Sequence, residues 1–185
     1  MAGIALATLA ASAGGHAGVS EQVEHRYYEV DQRPGEPLLA ALNAASPVRD
    51  GGRIFHAYTA WTVRWQFRWN AAPGGTCRIT AVTTRLAVTM TLPRLRSTDA
   101  LAAADFRRYY PALLLHEEGH RSLARGVAQE IDRRIEALPP MERCGALERE
   151  ANRLGHELVD AAKQREIEYD RSTRQGCTQG ACLSP

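Results

Sequence analysis

Leu113-Leu114-Leu115-His116-Glu117-Glu118-Gly119-His120-Arg121-Ser122-Leu123-Ala124 is the stretch that decides the fold. Leu113, His116, His120, Ala124, Val127, Ile131, Ile135 and Leu138 recur at steps of three or four, the stripe of a helix with one buried face. That helix is expected from about Pro111, whose type suits a first turn, to Leu138, before Pro139-Pro140. A shorter helix, capped from Ser97-Thr98-Asp99, should precede it up to about Arg108. Leu147, Ala151, Leu154, Leu158, Ala161 and, further on, Tyr169 form a second stripe, predicting a helix from about Ala146 to Glu168. The short link between the two long helices implies an antiparallel hairpin.

Upstream, the period changes to two. Phe55, Ala57, Thr59, Trp61, Val63, Trp65, Phe67 and Trp69 alternate with polar or small residues, the mark of a strand with one buried face. Ala71-Ala72-Pro73-Gly74-Gly75 reads as a hairpin break. Cys77, Ile79 and Ala81 then share one parity, whereas Leu86, Val88, Met90 and Leu92 share the other. A one-residue shift swaps faces, so a bulge near Thr83-Thr84, or two separate strands, is expected before Pro93 ends the run. Arg26 to Asp31 should be a first strand and Leu38 to Ala45 a short helix. The fold class is α+β: a small antiparallel sheet followed by a long antiparallel helix pair. We expect a flexible N-terminus over residues 1–24 and a single domain over 25–185, comprising a sheet part (25–96), a helical part (97–170) and an irregular tail (171–185).

The 185 residues suffice for one domain with a real core, and 44% hydrophobic residues suit an ordinary globular chain. A formal net charge of +2 argues for neither nucleic acid nor an anionic membrane as partner. The apolar run Ile4 to Ala11, followed by Ala11-Ser12-Ala13, resembles a signal-peptide remnant with a small-x-small cleavage site, although no Lys or Arg precedes it. The run is too short to span a bilayer. An even number of cysteines suits disulfides, with Cys177–Cys182 and Cys77–Cys144 the favoured pairing. The expected location is therefore periplasmic or secreted, without stable membrane insertion.

His116 and His120 lie one helical turn apart on the buried stripe, where two polar imidazoles need partners. A shared metal ion is the simplest one, with Zn2+ expected ahead of manganese or iron. Glu117 points about 100° away around the helix. It suits a general base taking a proton from a metal-activated water. Gly119 leaves room beside the metal. A catalytic zinc needs a third protein ligand. In an antiparallel hairpin His120 faces the end of the second helix, where Asp160, Glu166, Glu168 and Asp170 are the candidates. His156 falls off the stripe and reads as an ordinary surface or core histidine.

Taken in order, several pieces resemble the bacterial "domain of unknown function 922" family, described as predicted secreted zinc-dependent proteases. They are Tyr27-Tyr28-Glu29-Val30, His56-Ala57-Tyr58-Thr59-Ala60-Trp61, Cys77, Thr91-Leu92-Pro93, His116 to His120, Cys144, Tyr169 to Gly176 and Thr178-Gln179-Gly180-Ala181. The resemblance implies a zincin-like metallopeptidase acting on a peptide or protein substrate. It points to Asp170 as the third ligand, with Glu168 next and Gln175 a weak substitute. Gln175 stands where the family's tail motif carries a histidine. The motif position of Tyr169 suggests an oxyanion donor, against simple core packing. The strand from Arg85 to Thr91 could act as a sheet edge receiving an extended peptide. Two other functions remain open: a non-catalytic zinc-stabilised envelope domain, and an amidase acting on a cell-wall amide.

Overall fold

The computed structural model describes residues 18–183, so the signal-peptide reading of residues 4–13 lies outside the described residues. Within them, the class is α+β. In chain order come β1 (Ser20–Asp31), α1 (Leu38–Ala45), β2 (Val48–Asp50), β3 (Arg53–Phe55), β4 (Tyr58–Ala71), β5 (Cys77–Arg96), α2 (Ala100–Glu136), α3 (Cys144–Thr173) and a 3-10 turn (Cys177–Gln179). No described helix is long and apolar enough to cross a membrane.

The main sheet has the order β1-β5-β4, and β2 and β3 form a separate small hairpin. β4 and β5 pair antiparallel, as a hairpin must, but β1 runs parallel to β5. The sheet is thus mixed where an antiparallel one was expected. The excursion through α1 and the small hairpin separates β1 from β5 in sequence and makes the parallel pairing possible. β1 also begins at Ser20, six residues before the expected start. β5 pairs on both sides, so Arg85 to Thr91 is the centre of the sheet and not an edge.

The parity change falls earlier than Thr83. Arg68 pairs with Ala81 and Trp69 with Ile79, which leaves Thr80 as the bulged residue. From Val82 onward Val82, Thr84, Leu86, Val88, Met90 and Leu92 all face the helices and are buried. Pro93 does not end β5. β4 pairing stops at Thr91, so beyond it only β1 holds the strand, and a residue without an N–H is tolerated there.

The helices cover one face of the sheet. Trp61, Val63, Trp65 and Phe67 of β4 pack toward them, while Tyr58, Ala60, Thr62, Arg64 and Gln66 stay exposed. α2 is one continuous helix with Pro111 inside it, not two. An internal proline costs roughly 3 kcal/mol. The buried Tyr109 and Leu113 flanking it, and the Asp99 carboxylate accepting from the Leu101 and Ala102 amides, offset that cost. Ile131 and Ile135 are fully buried against Val82, Ala151 and Leu154. Burying each such side chain contributes about 1.5–3 kcal/mol. On α3 the buried position after Leu158 is Ala162 rather than Ala161, and the helix continues to Thr173, taking in residues expected in the tail.

Both expected disulfides are present. Cys77–Cys144 joins the start of β5 to the start of α3, and Cys177–Cys182 closes the C-terminal turn. Met141, in the link between α2 and α3, exchanges backbone hydrogen bonds with Cys77 at 2.7 and 2.9 Å. The helix hairpin is thereby pinned to the sheet at its turn, far from the ends that carry the site.

Candidate metal centre

Three elements converge at the open end of the hairpin. α2 supplies His116, Glu117 and His120; α3 supplies Tyr169 and Asp170; the 3-10 turn supplies Gln179. The histidines share the inner face of α2, which runs antiparallel to α3, so Asp170 arrives opposite them. Its Oδ1 lies 3.2 Å from His116 Nε2 and 3.1 Å from His120 Nε2. The two Nε2 atoms are 3.4 Å apart. Among the described residues His116, His120 and Asp170 form a group that could hold a metal ion, their ligand atoms all within 4.8 Å of one another.

The donor set fits a metal. Two imidazole nitrogens and one carboxylate oxygen point at a common space, and carboxylate and imidazole together suit zinc and its neighbours. The outer nitrogen of His116 is also engaged: Nδ1–H donates to Gln179 Oε1 at 3.0 Å, so Nε2 is the nitrogen turned toward Asp170 and His120. Burial opposes charge on His120, but hydrogen bonds to Asp170 and Glu166 outweigh it and raise its pKa to about 9. Burial likewise disfavours the Asp170 anion, yet His116 and His120 hold its carboxyl well below the usual carboxylate range.

Glu117 is buried beside this group. Its Oε2 accepts a hydrogen bond from Thr59 Oγ1 at 2.6 Å. Burial pushes its carboxyl up, and the Thr59 bond only partly counters this. Thr59 was not singled out from the sequence. Its signal was available: it is the one hydroxyl on an otherwise aromatic and aliphatic strand face.

Tyr169 lies behind His116. Its ring stacks on His116 at 5.1 Å with 10° between planes. Its hydroxyl donates to the His116 carbonyl at 3.3 Å and accepts from Gln179 Nε2 at 3.1 Å. The hydroxyl thus belongs to the scaffold behind the histidines. Gly119 makes room for this ring, not for the metal: a Cβ there would meet the Tyr169 hydroxyl at 2.0 Å.

Of the other candidates, Glu166 meets only the outer nitrogen of His120, its Oε1 3.5 Å from Nδ1, and the rest fall away from the group. Glu168 is exposed and paired with Arg171, Asp160 is paired with Lys163, and His156 is exposed edge-on to Trp65. Gln175 adopts a left-handed conformation, φ 53°, and its amide caps α3 by donating to the Asp170 carbonyl at 2.7 Å. Its contribution is therefore through the backbone. Gln179, which sequence reading passed over as a site residue, reaches His116 instead. Only its place in the tail motif marked it.

The fold and the site together define an α+β domain carrying a candidate His-His-Asp metal centre. A family model described as "Bacterial protein of unknown function (DUF922)" matches residues 25–176, and the chain belongs to that family. No curated protein and no solved structure matches it.

Proposed function

We propose that this protein is an exported zinc-dependent metallohydrolase of the zincin type, most simply a peptidase. The observation that carries the reading is the convergence of His116, His120 and Asp170 beside a buried carboxylate, Glu117. His116 Nε2, His120 Nε2 and Asp170 Oδ1 would hold the ion, leaving a fourth position for water. When bound, zinc makes a water acidic enough to give a nucleophile near neutral pH and polarises a carbonyl. Glu117 takes the proton of the attacking water and passes it to the leaving amine. Its raised proton affinity suits that exchange, and Thr59 fixes its orientation. An extended substrate would lie along the free outer edge of β4 near Tyr58, the edge closest to Glu117 through Thr59. The two disulfides support export to an oxidising compartment.

A second reading, a non-catalytic metal-stabilised domain, draws on the depth of Glu117, only 4% exposed. Glu117→Gln separates the two. In the peptidase it keeps one bound zinc and loses hydrolysis of an unstructured protein substrate by several orders of magnitude. Hydrolysis retained at the wild-type rate would sink the catalytic role.

A further inference from the structure

We propose that Glu166 is a positioning residue for the metal centre, and that β4 sets both of the carboxylates working behind it. The inference rests on His116, His120 and Asp170 holding a metal, and concerns what fixes the second histidine. His120 presents Nε2 to Asp170 and to His116 Nε2. Its other nitrogen, Nδ1, faces Glu166 Oε1 at 3.5 Å. That same oxygen accepts the indole N–H of Trp61 at 2.8 Å. Glu166 sits against the ring nitrogen that points away from the common space, so it cannot share a metal bound at Nε2. It can hold the Nδ1–H tautomer, which keeps the Nε2 lone pair free for the ion and makes the imidazole a better donor.

The contact matters because it is partly dry. The side chain of His120 is 12% exposed and that of Glu166 is 22% exposed. A carboxylate in such a place needs its own partner, and Trp61 is that partner. Trp61 stands two residues from Thr59 on one strand, so both side chains project from the same face of β4. Thr59 holds Glu117 and Trp61 holds Glu166. One strand thus contacts both the proton-handling carboxylate and the histidine-orienting one. On the other histidine, Gln179 does for His116 what Glu166 does for His120.

The test is zinc affinity, measured by competition with a chromogenic chelator on the full chain with its disulfides intact. Metal-free melting and the visible spectrum of the cobalt-loaded protein are recorded beside it. Glu166→Ala should retain one metal per chain and weaken zinc binding about 10- to 100-fold, the usual effect of removing such an outer partner. Glu166→Gln, which keeps an acceptor oxygen, should recover part of the loss. Trp61→Phe should weaken binding in the same direction and add nothing in the Glu166→Ala background, because both act through one contact. The cobalt spectrum should shift in Glu166→Ala while the metal count stays at one.

Unchanged affinity in Glu166→Ala and Glu166→Gln overturns the inference, even if the metal-free protein melts lower. Loss of the stoichiometric site in Glu166→Ala overturns it in another way, by making Glu166 a ligand. If the wild type binds zinc but Glu166 variants do so equally well, only this inference fails. If the wild type, unlike a zinc-binding control, takes up no zinc, the reading of the centre fails with it.

Discussion

Tyr169 occupies the space that a side chain at Gly119 would need. A Cβ built on Gly119 would lie 2.0 Å from the Tyr169 hydroxyl and 2.3 Å from the ring carbon bearing it. Both elements are long helices, so neither backbone can retreat locally. The ring cannot move without leaving its stack on His116.

Gly119→Ala therefore sets two effects against each other. Alanine gains about 1 kcal/mol in helix propensity over glycine. Forcing an extra carbon into this contact costs about 1–3 kcal/mol or more, and it displaces the ring that backs His116. The expected outcome is a lower melting temperature and weaker zinc binding. In the double variant Gly119→Ala, Tyr169→Ala, the two losses should sum to less than their separate values. Denaturant melts and chelator competition check both, and a more stable Gly119→Ala protein would refute the packing argument.

His56 is built to stay neutral. Its Nε2–H donates to Asn43 Oδ1 at 2.9 Å, and its Nδ1 accepts from the Tyr109 hydroxyl at 2.7 Å. The Tyr28 hydroxyl donates to its carbonyl at 2.8 Å, and the nearby charge of Glu117 helps keep the Tyr109 hydroxyl protonated. Burial lowers the His56 pKa. The unfolded chain, with an ordinary histidine near 6.5, then binds more protons than the folded one as pH falls. The His56 contribution is complete above about pH 6.5 and is lost as pH drops below it. Urea melts of wild type and His56→Gln, with chelator present, should show the wild type losing its advantage between about pH 7 and 5. A constant difference across that window would remove the argument.

The two disulfides should have separable effects. Cys77–Cys144 spans 67 residues and joins sheet to hairpin far from the metal group. Replacing both cysteines with serine should cost about 2–4 kcal/mol of stability and leave zinc affinity of the folded protein near wild type. Cys177–Cys182 spans only 5 residues but closes the turn that carries Gln179 to His116. Its double-serine variant should lose less stability and weaken zinc binding by about tenfold, in the direction of Gln179→Ala. Equal zinc affinities in the two double variants would show that the tail turn does not support the centre.

Much of this was legible in residue spacing. The stripe on α2 placed His116 and His120 inside, and the hairpin argument brought the end of α3 opposite them. The small local cysteine loop left one other pairing, and both pairings form. What spacing misjudged has physical causes. Pro111 reads as a helix start, yet packing by Tyr109 and Leu113 carries the helix through it. Ala161 and Ala162 are equivalent by type, and only the accumulated 3.6-residue period puts Ala162 inside. That same period brings Glu166 onto the inner face.

The sequence by itself determined the periodicities, and these are local: helix, strand, the parity change in β5, and the pair of histidines one turn apart. It did not determine which strand is central, because β1 joins β5 in parallel through residues 65 positions apart and no local pattern records that choice. Nor did it determine roles within the site. Tyr169 and Asp170 are adjacent in sequence and on one helix, yet one packs behind His116 and the other faces both imidazoles. The helices differ in which face they turn to each other, and a rotation of about 100° per residue separates scaffold from ligand. Only the packed hairpin, set against Thr59 and Trp61 of β4, decides that rotation.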